Sequence, residues 1–216
     1  VERSRGLGDV YKRQGHDSPI KAALWSLSQS RKPASILGAE GRYTRESRTG
    51  RYGQVMSFGQ MIGSGPPLFR VRQLLALVDA GLAHFLGDHP TVSIEADHFT
   101  LTSGPRSASA PTLVDAFMHR PDIRTAGDAM TRCLVDSGRV RPFPDHGQPT
   151  GSPETDGATR RTVHPDGELD ARLHIVGIPT YSQWPDTTIS PMPGTDPLML
   201  QETDKAAGSL LAVVRS

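Results

Sequence analysis

Residues 173–180 read Leu173-His174-Ile175-Val176-Gly177-Ile178-Pro179-Thr180, and a little further on comes Asp186-Thr187-Thr188-Ile189-Ser190-Pro191-Met192-Pro193-Gly194-Thr195-Asp196-Pro197. The apolar run ending at Ile178 has the composition of a central strand, and the polar stretch up to Asp196 reads as a loop. Pro197, behind Thr195 and Asp196, opens a last helix predicted to run to about Val213. A helix start offers unpaired N–H groups and a positive dipole end, which suit a phosphate or an electron-rich ring. Gly177 at the strand end lets a ligand approach the backbone closely. The same spacing also fits a plainly capped helix behind a surface loop.

Working back from this stretch, Arg161–His164 and Leu169–Ile178 flank Pro165-Asp166-Gly167, a turn in which Pro fixes φ and Gly supplies a positive one. Residues 142–159 are rich in Pro, Gly, Asp and Thr and read as a surface excursion. Asp128–Ser137 is predicted to be a short helix with Ala129, Met130, Cys133 and Leu134 inward and Gly138 as its stop. Thr112–Met118 reads as a mostly buried strand. Thr91–Ala96 and His98–Thr102 alternate about Asp97 and predict a tight hairpin. Residues 68–86 carry Leu68, Val71, Leu75, Val78, Leu82 and Phe85 on one helical face, with Gly87 at the expected stop. Residues 31–67 look like a long Gly/Arg-rich loop with at most a helical turn. A short helix is predicted over 18–30, opened by Ser18-Pro19.

The 216 residues allow one ordinary domain or two small ones. Twenty-two Gly and 18 Pro make the chain loop-rich. No apolar stretch approaches the roughly 18–20 residues of a membrane span. Lys plus Arg (24) nearly cancels Asp plus Glu (23), so no global charge points to nucleic acid or membrane. Cys133 is the only cysteine, which excludes an internal disulfide framework and fits a reducing, cytoplasmic compartment. The string Asp9-Val10-Tyr11-Lys12-Arg13-Gln14 looks like a translated sequencing adapter, so residues 1–14 are set apart as a scar or a disordered basic tail. The expected organisation is that tail, a helix and long loop over 15–67, and a main domain over 68–216.

The string Leu173–Asp204 resembles the C-terminal end of the FAD/NAD(P)-binding proteins, a family of flavoprotein-like oxidoreductases. The resemblance is carried by the Pro-Asp-Gly hairpin, by Leu173–Thr180 and by the helix opened at Gly194-Thr195-Asp196. Upstream, Val114-Asp115-Ala116, the Leu-Val-Asp-Ser-Gly-Arg-Val run at 134–140 and Arg141-Pro142 follow in a similar order, so that the likeness covers about 54–213. It implies an α/β, Rossmann-like fold that binds FAD and NAD(P)H and acts on a small molecule. Gly177, Thr187, Thr188, Gly194, Thr195 and Asp196 are then the flavin-side contacts. The family's Gly-x-Gly-x-x-Gly turn is missing, because Gly63-Ser64-Gly65 continues into Pro66-Pro67. The expectation is therefore an N-terminally truncated oxidoreductase, inactive as a fragment, with no residue nominated as acid or base.

The competing reading is a non-enzymatic binding module. Arg42, Arg45, Arg48 and Arg51 recur every third residue beside Tyr43 and Tyr52, a pattern that a phosphate or a nucleic acid could use if helical. Gly41, Gly50 and Gly53 weaken that helix, and the neutral chain weakens nucleic acid as partner. His84, His89 and His98 do not have metal-site spacing, and no metal is expected. No Gly-x-Ser-x-Gly elbow exists. Cys133 is expected to be a packed thiol.

Overall fold

The computed structural model describes residues 18–63, 66–116, 120–187 and 196–215, so the adapter-like string lies outside the described residues. They fall into two compact units, the described residues of 1–23 and 64–118 in one and those of 24–63 and 119–216 in the other. Helix and sheet are mixed, as the α/β class requires. Every strand pair among the described residues is antiparallel.

Helix α1 (Pro19–Gln29) places its proline in the first turn, where the missing N–H costs nothing, and the Ser18 hydroxyl accepts from Lys21 N at 3.3 Å. Beyond it, the predicted long loop is replaced by helices: α2 (Arg31–Gly38), a 3₁₀ turn (Ala39–Gly41), α3 (Arg45–Thr49) and α4 (Arg51–Gly63). The reason is visible in α2, whose buried positions are Arg31, Ser35 and Gly38. The spacing is helical but the buried face is polar, so apolar periodicity could not mark it. Thr44 caps α3 by accepting from Ser47 N at 3.2 Å, and Gly50 separates α3 from α4.

In the other unit, α5 (Leu68–Asp79) ends two turns earlier than predicted. Gly81 takes φ 72°, Gly81 N donates to Val78 O and Leu82 N to Leu77 O, which closes the last turn before Gly87 is reached. Strands β1 (Thr91–Glu95) and β2 (His98–Ser103) form the predicted hairpin, with Glu95 opposite His98, and β3 (Arg106–Ala110) extends the sheet. Residues 112–116 form no strand, and Val114 is exposed.

Helix α6 (Ala129–Asp136) is capped by Asp128, whose carboxylate accepts from Thr131 N at 2.8 Å. It stops at Gly138 by the same two-bond device as α5. Its predicted inward face is not inward: Met130 and Cys133 are exposed. Residues 142–159 are not a mere excursion. They contain the hairpin β4 (Pro142–Asp145) and β5 (Gln148–Pro153), joined by His146 and Gly147, both at positive φ, the geometry that matches strand twist.

β6 (Arg161–Val163) and β7 (Leu169–His174) pair across the Pro-Asp-Gly turn, with Gly167 at φ 95°. The predicted central strand therefore ends at His174 and lies in a two-stranded ladder, and Ile178–Thr180 is a 3₁₀ turn. Helix α7 (Leu198–Arg215) closes the chain and buries Glu202 and Ala206.

Asp170 of β7 is buried and accepts both Arg139 nitrogens, at 2.7 and 2.9 Å, together with Arg172 N and Leu173 N. The hydrogen bonds from Arg139 hold its carboxyl far below the usual carboxylate range. A depressed pKa stabilises the fold fully above the unfolded value of about 4 and loses that contribution as the pH falls further. Asp170→Asn should therefore be less stable than the unsubstituted protein at neutral pH, with the gap closing below about pH 4. Urea melts on both proteins across that range check it, and a gap independent of pH refutes the assignment.

Candidate functional site

The second unit contains an open cleft of about 840 Å³, within the usual size range of small-molecule sites. Arg48 and Tyr52 reach it from α3 and α4, Asp145 from the end of β4, and Tyr181 and Ser182 from the residues after the 3₁₀ turn. Arg120, Asp122 and Arg124 supply the remaining charged wall. That segment is fixed to β5 by Ile123 N donating to Gly151 O at 2.9 Å and by Arg124 Nη1 donating to Pro149 O at 2.8 Å. Gly151 permits the approach: a Cβ there would stand 2.8 Å from Pro121 O. Ser182 is held by its N–H on the Ser152 hydroxyl at 2.9 Å.

The charges in this wall divide clearly. Arg124 is a bidentate partner of Asp122, at 2.8 and 2.6 Å, and its hydrogen bonds lower the Asp122 pKa. Arg48 lies 2.9 Å from Asp145 and also donates to Ser182 O. Its contact with Asp145 is an ion pair at poor angle, since neither Arg48 Nη1 nor Asp145 Oδ1 completes a hydrogen bond. Arg120 has no carboxylate partner among the described residues, and its guanidinium lies 6.0 Å from the Tyr181 ring centroid. Tyr52 sits with its ring 5.0 Å from that of Tyr43, and burial raises its pKa.

The loop singled out by sequence is only partly described, with Thr188, Gly194 and Thr195 outside the described residues. Gly177 takes φ 83° at the head of the 3₁₀ turn, and no atom lies within 4 Å of where a Cβ would stand. Thr187 is buried and donates its hydroxyl to Trp184 O at 3.2 Å. Asp196 accepts from Lys32 Nζ at 3.0 Å and Gln201 Nε2 at 2.7 Å, and the Gln201 bond comes first among the causes that lower its pKa. No described contact joins Gly177, Thr187 and Asp196 to one another.

The arginines at three-residue spacing do not share a face. Arg42 pairs with Glu40, Arg48 turns into the cleft, and Gly50 breaks the helix before Arg51. Arg120, Asp122, Arg124, Asp145 and Tyr181 were not singled out by sequence. The signal that could have found the first three is the charge cluster Arg120-Pro121-Asp122-Ile123-Arg124. Among the described residues no three His, Cys, Asp or Glu stand close enough to share a metal ion, and no helix is long and apolar enough to cross a membrane.

No protein-family model matches the chain. Curated relatives do. The chain is 27% identical over 221 residues to the nitrosuccinic acid synthase npaA of Aspergillus oryzae, an alignment covering 99% of the chain and 33% of that protein. It is 27% identical over 210 residues to the L-aspartate N-monooxygenase (nitrosuccinate-forming) of Streptomyces cremeus, covering 90% and 31%. The enzyme of the same description from Streptomyces davaonensis is 28% identical over 210 residues, covering 91% and 32%. These relatives are oxidoreductases. The chain spans about a third of their length. The oxidoreductase character implied by the resemblance agrees with what these proteins are.

Proposed function

We propose that this chain is part of a flavin-dependent monooxygenase that oxidises the amino nitrogen of L-aspartate towards nitrosuccinate. The observation that carries the reading is the agreement of three relatives, one fungal and two bacterial, across 90% or more of the chain on one described chemistry. The arginine-walled cleft supports it, because guanidinium groups suit a carboxylate-bearing substrate.

FAD bound here would supply the reductive activation of oxygen, with NAD(P)H as the electron source. In this reading Gly177, with no atom within 4 Å of where a Cβ would stand, would lie beside such a ring. Thr187, its hydroxyl already donated to Trp184 O, supports the loop rather than the ring. Asp196, held by Lys32 and Gln201, fixes the entry into α7. The residues of the cleft wall bind and orient the substrate's carboxylates. These 216 residues contain no Gly-x-Gly-x-x-Gly turn, the element that would cradle the ADP half of such a cofactor.

The test is the full-length protein with L-aspartate, oxygen and NAD(P)H. It should carry flavin absorbance and consume oxygen in proportion to L-aspartate, with nitrosuccinate detected by mass spectrometry. A flavin-loaded protein that leaves L-aspartate unchanged overturns the reading.

A further inference from the structure

Three arginines and two aspartates line the cleft, which leaves one positive charge in excess. The pairing decides which it is. Arg124 is saturated by Asp122 and Pro149 O, and Arg48 is occupied by Asp145 and Ser182 O. Arg120 is the cation left without a carboxylate among the described residues, and it is exposed. Its position is not arbitrary, because the residues just after it are anchored to β5 through Ile123 N and Arg124 Nη1.

We propose that the cleft is the binding site for an acidic α-amino acid and that Arg120 takes the side-chain carboxylate, which makes it the residue that distinguishes the acid from its amide. An acidic amino acid carries two carboxylates and one ammonium, a net charge of −1 that matches the excess of the wall. The planar guanidinium offers two parallel N–H donors to one carboxylate. The Tyr181 ring centroid lies 6.0 Å from the Arg120 guanidinium, on the same wall. An uncharged amide would leave Arg120 without an anion, and that difference is the origin of the selectivity.

The inference rests on the reading of the chain as part of an amino-acid oxidase of nitrogen, and its test is binding without turnover. Dissociation constants of L-aspartate and L-asparagine are measured on the full-length protein by calorimetry in the absence of reductant. L-Aspartate should bind about tenfold or more tightly than L-asparagine, the scale of a hydrogen bond to a charged group. Arg120→Gln should collapse that ratio towards one with an unchanged melting temperature, and Arg120→Lys should restore part of it. Arg42→Gln, outside the cleft, should leave the ratio intact.

An unchanged ratio in Arg120→Gln overturns the proposal, as does inorganic phosphate displacing L-aspartate as strongly as succinate does. Selective binding lost with Arg120 in a protein that never oxidises L-aspartate keeps this site and removes the proposed function. Oxidation with an Arg120-independent ratio does the reverse.

Discussion

Arg160→Ala should destabilise the protein by about 3–5 kcal/mol in chemical denaturation, the usual cost of leaving a buried charge without its partner. Arg160 is 1% exposed and is bidentate to Glu202 of α7, one contact being Nη2 to Oε1 at 2.8 Å. Its Nη1 serves the Asp156 and Gly157 carbonyls, and its guanidinium lies 3.7 Å from the Trp184 ring centroid. One side chain thus ties α7 to the turn before β6 and to the segment after the 3₁₀ turn. Lys205 Nζ, 3.5 Å from Glu202 Oε1, gives only a partly exposed substitute. The double replacement Arg160→Met with Glu202→Leu removes both charges and should regain most of the loss. If the double variant is as unstable as Arg160→Ala, the backbone bonds and the Trp184 stack matter more than the charge pair.

Gln183→Leu is the second large effect. The Gln183 amide accepts from Thr155 N at 2.8 Å and donates to Thr155 O at 2.7 Å, a reciprocal pair in a buried setting. Thr155 in turn accepts from Trp184 Nε1 at 2.7 Å. Leucine fills a similar volume but leaves a buried N–H and a buried carbonyl unpaired, at about 1–3 kcal/mol each. The expected result is a loss of a few kcal/mol, with faster hydrogen exchange at the Thr155 amide. Unchanged exchange at Thr155 would show that its N–H has found another acceptor.

Both predictions fall on polar residues because polar residues carry much of this interior. Arg31, Ser35, Ser152, Arg160, Thr162 and Glu202 are buried alongside Met56, Phe143, Val163 and Trp184. Reading the sequence for apolar spacing therefore found α5, where the pattern is apolar, and missed α2 to α4, where the buried face of α2 is Arg31 and Ser35. The same method overstated Met130 and Cys133, which are spaced like a core face and are exposed. The β4–β5 hairpin was overlooked because its strands hold four prolines and its turn is His-Gly rather than Asn-Gly.

Local backbone chemistry was legible at several points. The Gly138 stop, the Pro-Asp-Gly turn, the hairpin about Asp97 and the helix behind Pro197 all follow from which φ values a residue permits and which N–H groups a start leaves free. Each is settled by residues a few positions apart, so the sequence alone determines it. The cleft is of another kind. Arg48 meets Asp145 and Ser182, and Arg31 meets Asp186 across 155 positions, so pairing between distant segments decides which arginine is neutralised and which is left over. A row of arginines in sequence carries no record of its partners. Arg124 finds Asp122 two positions away, but only the folded chain brings Asp145 to Arg48 and leaves Arg120 without a carboxylate among the described residues.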